Sequence, residues 1–298
     1  MGDHTEYIAK HIDTDLRFWR RPDVDFANDK PEDDIKKMHV SDETHRVQIQ
    51  DIRGQESSYT LDKNGFVYLS HEMPDLDKVS DKEHVQDTII PLTEELVRKM
   101  SVAPPQNKHA CPVLGAAERF HRTGATRTVT FVHRVRFLAA DTSLLANNRA
   151  PAHDVHSDFT PTGALHYLKT VVPDEQERNR LLAGRVLIIN VWRPLKTIKR
   201  DPLTVCDWSS DNIQDEGVPT RLKLLSGWNE LGRYAFSPSQ RWCYLNGQQP
   251  NEPLLFTQFD NSKMGKGGFT VPHTAFVDPE YSDSAARESL EIKMFAFV

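Results

Sequence analysis

The spacing of apolar residues divides the chain into two halves of different character. From Ser80 to Met100, the apolar residues Val85, Ile89, Leu92, Leu96 and Met100 recur every three or four positions, one face of a helix that Pro91 should kink or restart. A second helix is predicted from Val113 to Arg122, ending near Gly124. Upstream, Arg46 to Asp51 and Gly65 to Ser70 alternate and are rich in β-formers. With Arg53-Gly54 and Asn64-Gly65 as turn signals they predict a two-stranded, hairpin-like element. Beyond Gly124 the pattern becomes short strand-like runs broken by Pro, Gly, Asp and Asn: Thr128 to Leu138, Ala164 to Lys169, Arg185 to Trp192, Leu222 to Leu225, Arg241 to Leu245, Leu254 to Phe259 and Ser289 to Val298. One short helix, Asp174 to Leu182, interrupts them. Such a run of short strands predicts a mainly β sandwich or barrel with flanking helices rather than a parallel α/β sheet. The expected organisation is a charged N-terminal arm over 1–45, a hairpin-and-helix layer over 46–124 packed on the barrel, and a β core over 125–298, all in one structural domain.

Composition narrows the partners. Lys and Arg total 37 against 43 for Asp and Glu, so no excess of positive charge is available to neutralise nucleic-acid phosphates, and a small molecule is the expected partner. The longest apolar runs, such as Val186 to Ile189, fall far short of the roughly 20 residues of a membrane helix, so no membrane partner is expected. Met1-Gly2 is followed by no charged-then-apolar leader, and Glu6 stands where a myristoylation site wants Ser or Thr, so a cytoplasmic address is expected. The cysteines Cys111, Cys206 and Cys243 contain no CxxC pair and fit neither a disulfide framework nor a thiolate metal site.

The chemistry concentrates in the strand-rich half. Residues i and i+2 of a strand share a face, so His156 and Asp158 can present an imidazole and a carboxylate to one metal ion. The pair alone means little, because His11-Ile12-Asp13 repeats it inside the charged arm. His273, in the apolar stretch Phe269 to Phe276, supplies a third ligand type. Two histidines and one carboxylate on one side of iron(II) leave three positions open for a bidentate co-substrate and dioxygen. Downstream, Arg287 offers a planar fork that matches the distal carboxylate of 2-oxoglutarate, and Ser289 adds a hydroxyl donor. Singly, a histidine is more often structural and an arginine more often a surface ion pair; in this order on a barrel-like background they support one another. Asn190 and Trp192 alternate on one strand, so Asn190 can face the co-substrate and Trp192 can wall the substrate pocket, with structural packing as the competing role. Arg127, His133, Arg134 and Arg136 form a basic strand that can meet an acidic substrate, with the solvated-face reading favoured, and His153 falls on the strand face opposite His156.

This order of His-x-Asp, distant His and Arg-x-Ser resembles the double-stranded β-helix dioxygenases, and more narrowly the mainly fungal group of AsaB, the gibberellin desaturase and CmcJ. The resemblance is carried by Asp51 to Gly54, Tyr59 to Phe66, Val155 to Asp158, Asn190 to Pro194, Gln258 to Ser262, Val271 to Phe276 and Arg287 to Ser289, and it spans residues 45–298. Where the family often has Tyr-Asp-Ser this chain has Phe259-Asp260-Asn261-Ser262, and no catalytic role is assigned there. The resemblance implies a jelly-roll, cupin-like barrel and an Fe(II), 2-oxoglutarate- and O2-dependent oxygenase, with ascorbate as reductant in vitro. The expected reaction is oxidation of a C–H bond of a small natural-product or amino-acid-like substrate in secondary metabolism, by hydroxylation, desaturation or oxidative ring closure. The carboxylate at Asp158 leaves no vacant metal position for a halide, so halogenation is not expected. The competing functions are a metal-dependent isomerase or lyase, and a ligand-binding barrel that does not use 2-oxoglutarate.

Overall fold

The computed structural model describes residues 7–20, 42–100, 125–136, 150–210, 217–224, 227–265 and 269–298. Its first strand, β1 (Ile12–Trp19), buries Ile12, Thr14, Leu16 and Phe18 and exposes the acidic residues between them. It lies inside the stretch expected to be an arm, because its period-two pattern is short and sits between highly charged neighbours. β1 pairs antiparallel with β2 (Asp42–Asp51), with Ile12 opposite Ile49 and Trp19 opposite Asp42.

The hairpin expected between Arg46–Asp51 and Gly65–Ser70 does not form. β2 belongs to the same sheet as β1, whereas β3 (Phe66–Tyr68) belongs to the other. Between them a helical turn, α1 (Leu61–Asn64), is capped by the Thr60 hydroxyl and ends at Gly65 with φ of 84°. Asn64-Gly65 thus serves as a left-handed helix cap instead of a hairpin turn. A Cβ at Gly65 would lie 2.5 Å from the Val271 side chain and 2.6 Å from the Trp208 ring, so only glycine fits. Next come α2 (Lys82–His84), one wide turn over Val85–Ile89, and α3 (Ile90–Lys99), which restarts with Pro91 in its first turn. The predicted helix at Val113 to Arg122 lies outside the described residues.

The remaining elements are β4 (Arg127–Arg136), β5 (His156–Ser157), α4 (Pro161–Val171), α5 (Glu175–Leu182), β6 (Val186–Pro194), β7 (Leu203–Cys206), β8 (Gly217–Leu224), β9 (Gly227–Tyr234), β10 (Trp242–Tyr244), β11 (Leu254–Asp260), β12 (His273–Ala275) and β13 (Ser289–Phe297). Ala164 to Lys169, expected as a strand, lies in α4. The Thr160 side chain accepts from the Gly163 amide and Pro161 occupies the first turn, a start signal stronger than the short apolar run.

Two sheets face each other. The larger has the order β1-β2-β10-β7-β12-β5-β9-β8 and the smaller β3-β11-β6-β13-β4. Every pairing between named strands is antiparallel except β2 with β10. A bridge between Arg17 and Asp154 brings β1 back against the segment entering β5, so the large sheet curls. This is the double-stranded β-helix, or jelly roll. The outer face of the small sheet, with Ile189, Val191, Leu290 and Ile292, is covered by Val85, Ile89, Leu96 and Val97 of the helical layer.

Inside, the small sheet presents three zones. One end is plugged by Val186, Ile188, Phe259, Phe295 and Phe297 under Leu168 of α4. The other end packs Trp192, Leu254 and Phe256 against Val205, Trp242 and Tyr244 of the large sheet. Between them lies a band of buried polar and charged residues, and this band forms the site. Cys206 and Cys243 are buried free thiols, and Cys111 lies outside the described residues. No helix among the described residues is long and apolar enough to cross a membrane.

Candidate metal centre

β5 is two residues long and is held on both sides, by β12 and by β9. Its pairing sets His156 directly opposite His273, with ring centroids 4.4 Å apart. The alternation of the chain turns Ser157 away, where its hydroxyl accepts from Tyr234, and returns Asp158 to the side of His156. The ligating atoms of His156, Asp158 and His273 lie within 4.8 Å of one another, and the His273 Nε2 to Asp158 Oδ2 distance is 3.6 Å. The Nδ1 atoms face the carbonyls of Asp154 at 2.7 Å and Val271 at 3.3 Å. A carbonyl only accepts, so each Nδ1 carries the proton and each Nε2 presents a lone pair to the space between.

Burial pushes the His273 pKa down to about 3, helped by His156 beside it, so its ring is neutral and ready to ligate. Burial acts to raise the Asp158 carboxyl, but the Lys293 ammonium prevails and holds it below the ordinary range. Lys293 contacts Asp158 Oδ1 at 2.7 Å, while Oδ2 is buried with no hydrogen-bond partner. One orphaned carboxylate oxygen and two imidazole rings held through their Nδ1 atoms therefore converge, a donor set that fits a divalent metal of the iron type. Among the described residues this group has three members, not the four of a closed structural site.

Arg287 lies in the same cavity, which is also lined by Arg136, Asn190, Trp192, Phe256 and Glu291. Its guanidinium stands 5.3 Å from the Trp192 ring, and its Nη1 donates to the Asp201 carbonyl. Burial, together with the neighbouring Arg136, pushes its pKa down to about 9. Its Nε is buried and has no partner, as are the Ser289 hydroxyl and the Asn190 carbonyl oxygen. A guanidinium donor, a hydroxyl and an amide oxygen unsatisfied together in one buried band suit a polar ligand that completes them.

Two charged side chains of this band, Glu291 and Lys293, carried no signal in the sequence. Glu291 and Lys293 follow Ser289 at every second position of β13 and contact each other at 2.9 Å. Glu291 Oε1 also accepts from Asn190 at 2.8 Å, and Oε2 lies 3.6 Å from Arg136. Burial opposes the charge on both residues. Lys293 and Arg136 nevertheless hold the Glu291 carboxyl well below its usual range, and Asp158 and Glu291 raise the Lys293 ammonium. Arg136, expected on a solvated strand, turns into the cavity because its Glu291 partner is there. Arg127 pairs with Glu177 on the surface. His153 faces Asp201 at 3.4 Å, apart from the metal group.

A family model described as an oxidoreductase/YMDC permease-like domain matches residues 7–105 and 118–297. The chain is 30% identical over 266 residues to the hydroxylase/desaturase efuI of Hormonema carpetanum, covering 85% of this chain and 84% of that protein. It is 28% identical over 256 residues to the alpha-ketoglutarate-dependent dioxygenase phiK of a fungal species, covering 83% of this chain and 82% of that one. A solved variant of the iron and alpha-ketoglutarate-dependent endoperoxidase NvfI superposes with a TM-score of 0.77 over 97% of both chains at 21% identity, a likeness of fold.

Proposed function

The chain belongs to the family of fungal hydroxylase/desaturases and Fe(II)/2-oxoglutarate-dependent dioxygenases, and on that basis we propose that it oxidises a C–H bond of a small natural-product or amino-acid-like substrate, using iron(II) at His156, Asp158 and His273. The observation that carries this reading is the convergence of two imidazole lone pairs on the unpartnered Asp158 Oδ2, in the cavity that also holds the buried Arg287. Bound iron(II) supplies dioxygen activation coupled to the oxidative decarboxylation of 2-oxoglutarate to succinate and carbon dioxide.

The chain's own residues bind, orient and exclude water. Arg287 pairs with the distal carboxylate of 2-oxoglutarate through the donor it now leaves unsatisfied, and the Ser289 hydroxyl adds a second donor, while Asn190, whose amide nitrogen is held by Glu291, lines the same cavity. The Arg287 guanidinium carbon lies over the Trp192 ring, a cation–π contact that helps hold the side chain in place. Lys293 occupies one oxygen of Asp158 and leaves the other for the metal. Trp192 and Phe256 wall the cavity and keep the reacting bond away from bulk water.

The test is succinate release from 2-oxoglutarate with iron(II) and ascorbate, against a panel of natural-product precursors including small amino acids. Substrate-stimulated succinate with an oxidised product is the expected result. Conversion of a substrate without 2-oxoglutarate consumption would favour an isomerase or lyase instead.

A further inference from the structure

We infer that Gln258 is a positioning residue that ties Asp158 to His273 across the two sheets; this rests on the reading of His156, Asp158 and His273 as a metal site. In the pairing of β11 with β6, Thr257 lies opposite Ile189 and Phe259 opposite Ile188, so Gln258 is the extra residue of a bulge. A bulge re-aims its side chain, and here the side chain of a small-sheet residue reaches the ligand-bearing segments of the large sheet. Gln258 is fully buried. Its Oε1 accepts from the Asp158 amide at 2.8 Å, and its Nε2 donates to the Val271 carbonyl at 3.2 Å, with a longer contact to the Thr257 carbonyl at 3.5 Å. The same Val271 carbonyl accepts from Nδ1 of His273.

One amide plane therefore holds the backbone of the carboxylate ligand and the carbonyl that orients the distal imidazole. The requirement is chemically narrow. An N–H must be accepted and a C=O donated to from one planar group of this length, which glutamine satisfies. Glutamate keeps the acceptor but sets a second oxygen against the Val271 carbonyl. Methionine fills the volume and supplies neither bond. Asparagine is one methylene too short to span both. Outer groups that orient metal ligands typically change metal affinity by about 10- to 100-fold when removed.

The metal-free full-length protein is titrated with Co(II), following visible d–d absorption, whose intensity and band positions report coordination geometry. Unmodified protein, Gln258→Met, Gln258→Glu, Asp158→Ala and His273→Ala are compared, with near-ultraviolet circular dichroism to establish folding. The expected result is that both alanine variants lose the Co(II) spectrum. Folded Gln258→Met should bind about 10- to 100-fold more weakly with altered bands, and Gln258→Glu should fall between it and the unmodified protein. A crosslink that merely stabilises the fold would lower the unfolding temperature and leave affinity and spectrum unchanged in the folded variants, and that result overturns the inference. If Gln258→Met does not fold, the isosteric Gln258→Glu decides in the same way. If Asp158→Ala and His273→Ala take up Co(II) like the unmodified protein, the metal site is elsewhere and both readings fall.

Discussion

His11-Ile12-Asp13 and His156-Ser157-Asp158 carry the same spacing at strand ends, yet the fold places them differently. In β1 the apolar Ile12 points inward, so His11 and Asp13 are exposed; His11 accepts from the Asp51 amide at 3.1 Å, and Asp13 meets Gln48 at 3.4 Å. In β5 the buried Ser157 takes the opposite face, so His156 and Asp158 look into the barrel, where His273 stands across the ladder and Lys293 touches the carboxylate. The spacing makes two side chains neighbours. The identity of the residue between them, and what the next strand brings opposite, decide whether those neighbours become a site.

Removing each carboxylate in turn is the sharpest way to break this comparison. Asp158→Ala should abolish 2-oxoglutarate turnover and weaken Co(II) or Fe(II) binding by more than the about 100-fold reached by outer-shell changes, since it deletes one of three protein bonds. Calorimetric metal titration of the variant checks it, and binding near the unmodified affinity would remove Asp158 from the site.

The next largest effect concerns the buried ammonium that distinguishes the second tripeptide. Lys293→Met strands Asp158 and Glu291 as buried carboxylates without their shared cation, and should cost about 3 kcal/mol in the metal-free protein. The pH dependence gives the sign. Both carboxyls are held below their ordinary values, so their contribution is present above the unfolded carboxyl range of about 3.9–4.3 and is lost as pH falls through the folded values. Denaturant unfolding across pH should show the destabilisation of Lys293→Met largest near neutrality and shrinking in acid. An equal loss at every pH would assign Lys293 a packing role instead.

Arg287→Lys follows, at about 2 kcal/mol, or roughly 30-fold in the 2-oxoglutarate requirement, because a point charge cannot reproduce the guanidinium fork. Direct titration of 2-oxoglutarate into the metal-loaded protein measures it, and unchanged affinity would place the anchor at another residue, with Arg136 the nearest alternative.

Residue type and order made much of this site legible. His156, Asp158, His273, Arg287, Asn190 and Trp192 all line one cavity, as a strand-rich chain with those residues on inward parities predicts. Other parts were hidden for identifiable reasons. Beyond Ser289, which the sequence singled out, Glu291 and Lys293 alternate with Leu290, Ile292 and Met294, which in sequence looks like a strand with a solvated polar face; alternation gives the two faces but not which one lines a cavity. Gln258 depends on a bulge, whose position is set by both partner strands. β5 and β12 are too short to leave a pattern and exist through their neighbours. α4 was masked because its cap, Thr160-Pro161, precedes an apolar run as short as a strand.

The smallest effect sharpens the comparison most, because it asks the first tripeptide to do nothing. Asp13 is exposed near the edge of the large sheet, its contact to Gln48 is long, and no other metal-ligating side chain joins it and His11 in a group among the described residues. Exposed polar replacements away from caps and cores usually stay within about 0.5 kcal/mol, so Asp13→Ala should leave the unfolding midpoint nearly unmoved. A second metal at this position would need an entropy-costly gathering of exposed side chains with at most two protein ligands, whereas structural metal sites use four and catalytic sites three. Metal stoichiometry should therefore be one per chain in both the unmodified protein and Asp13→Ala, with identical 2-oxoglutarate turnover. If the unmodified protein binds two equivalents and Asp13→Ala binds one, the exposed strand face carries a site of its own. Inward orientation would then not be what separates the two tripeptides.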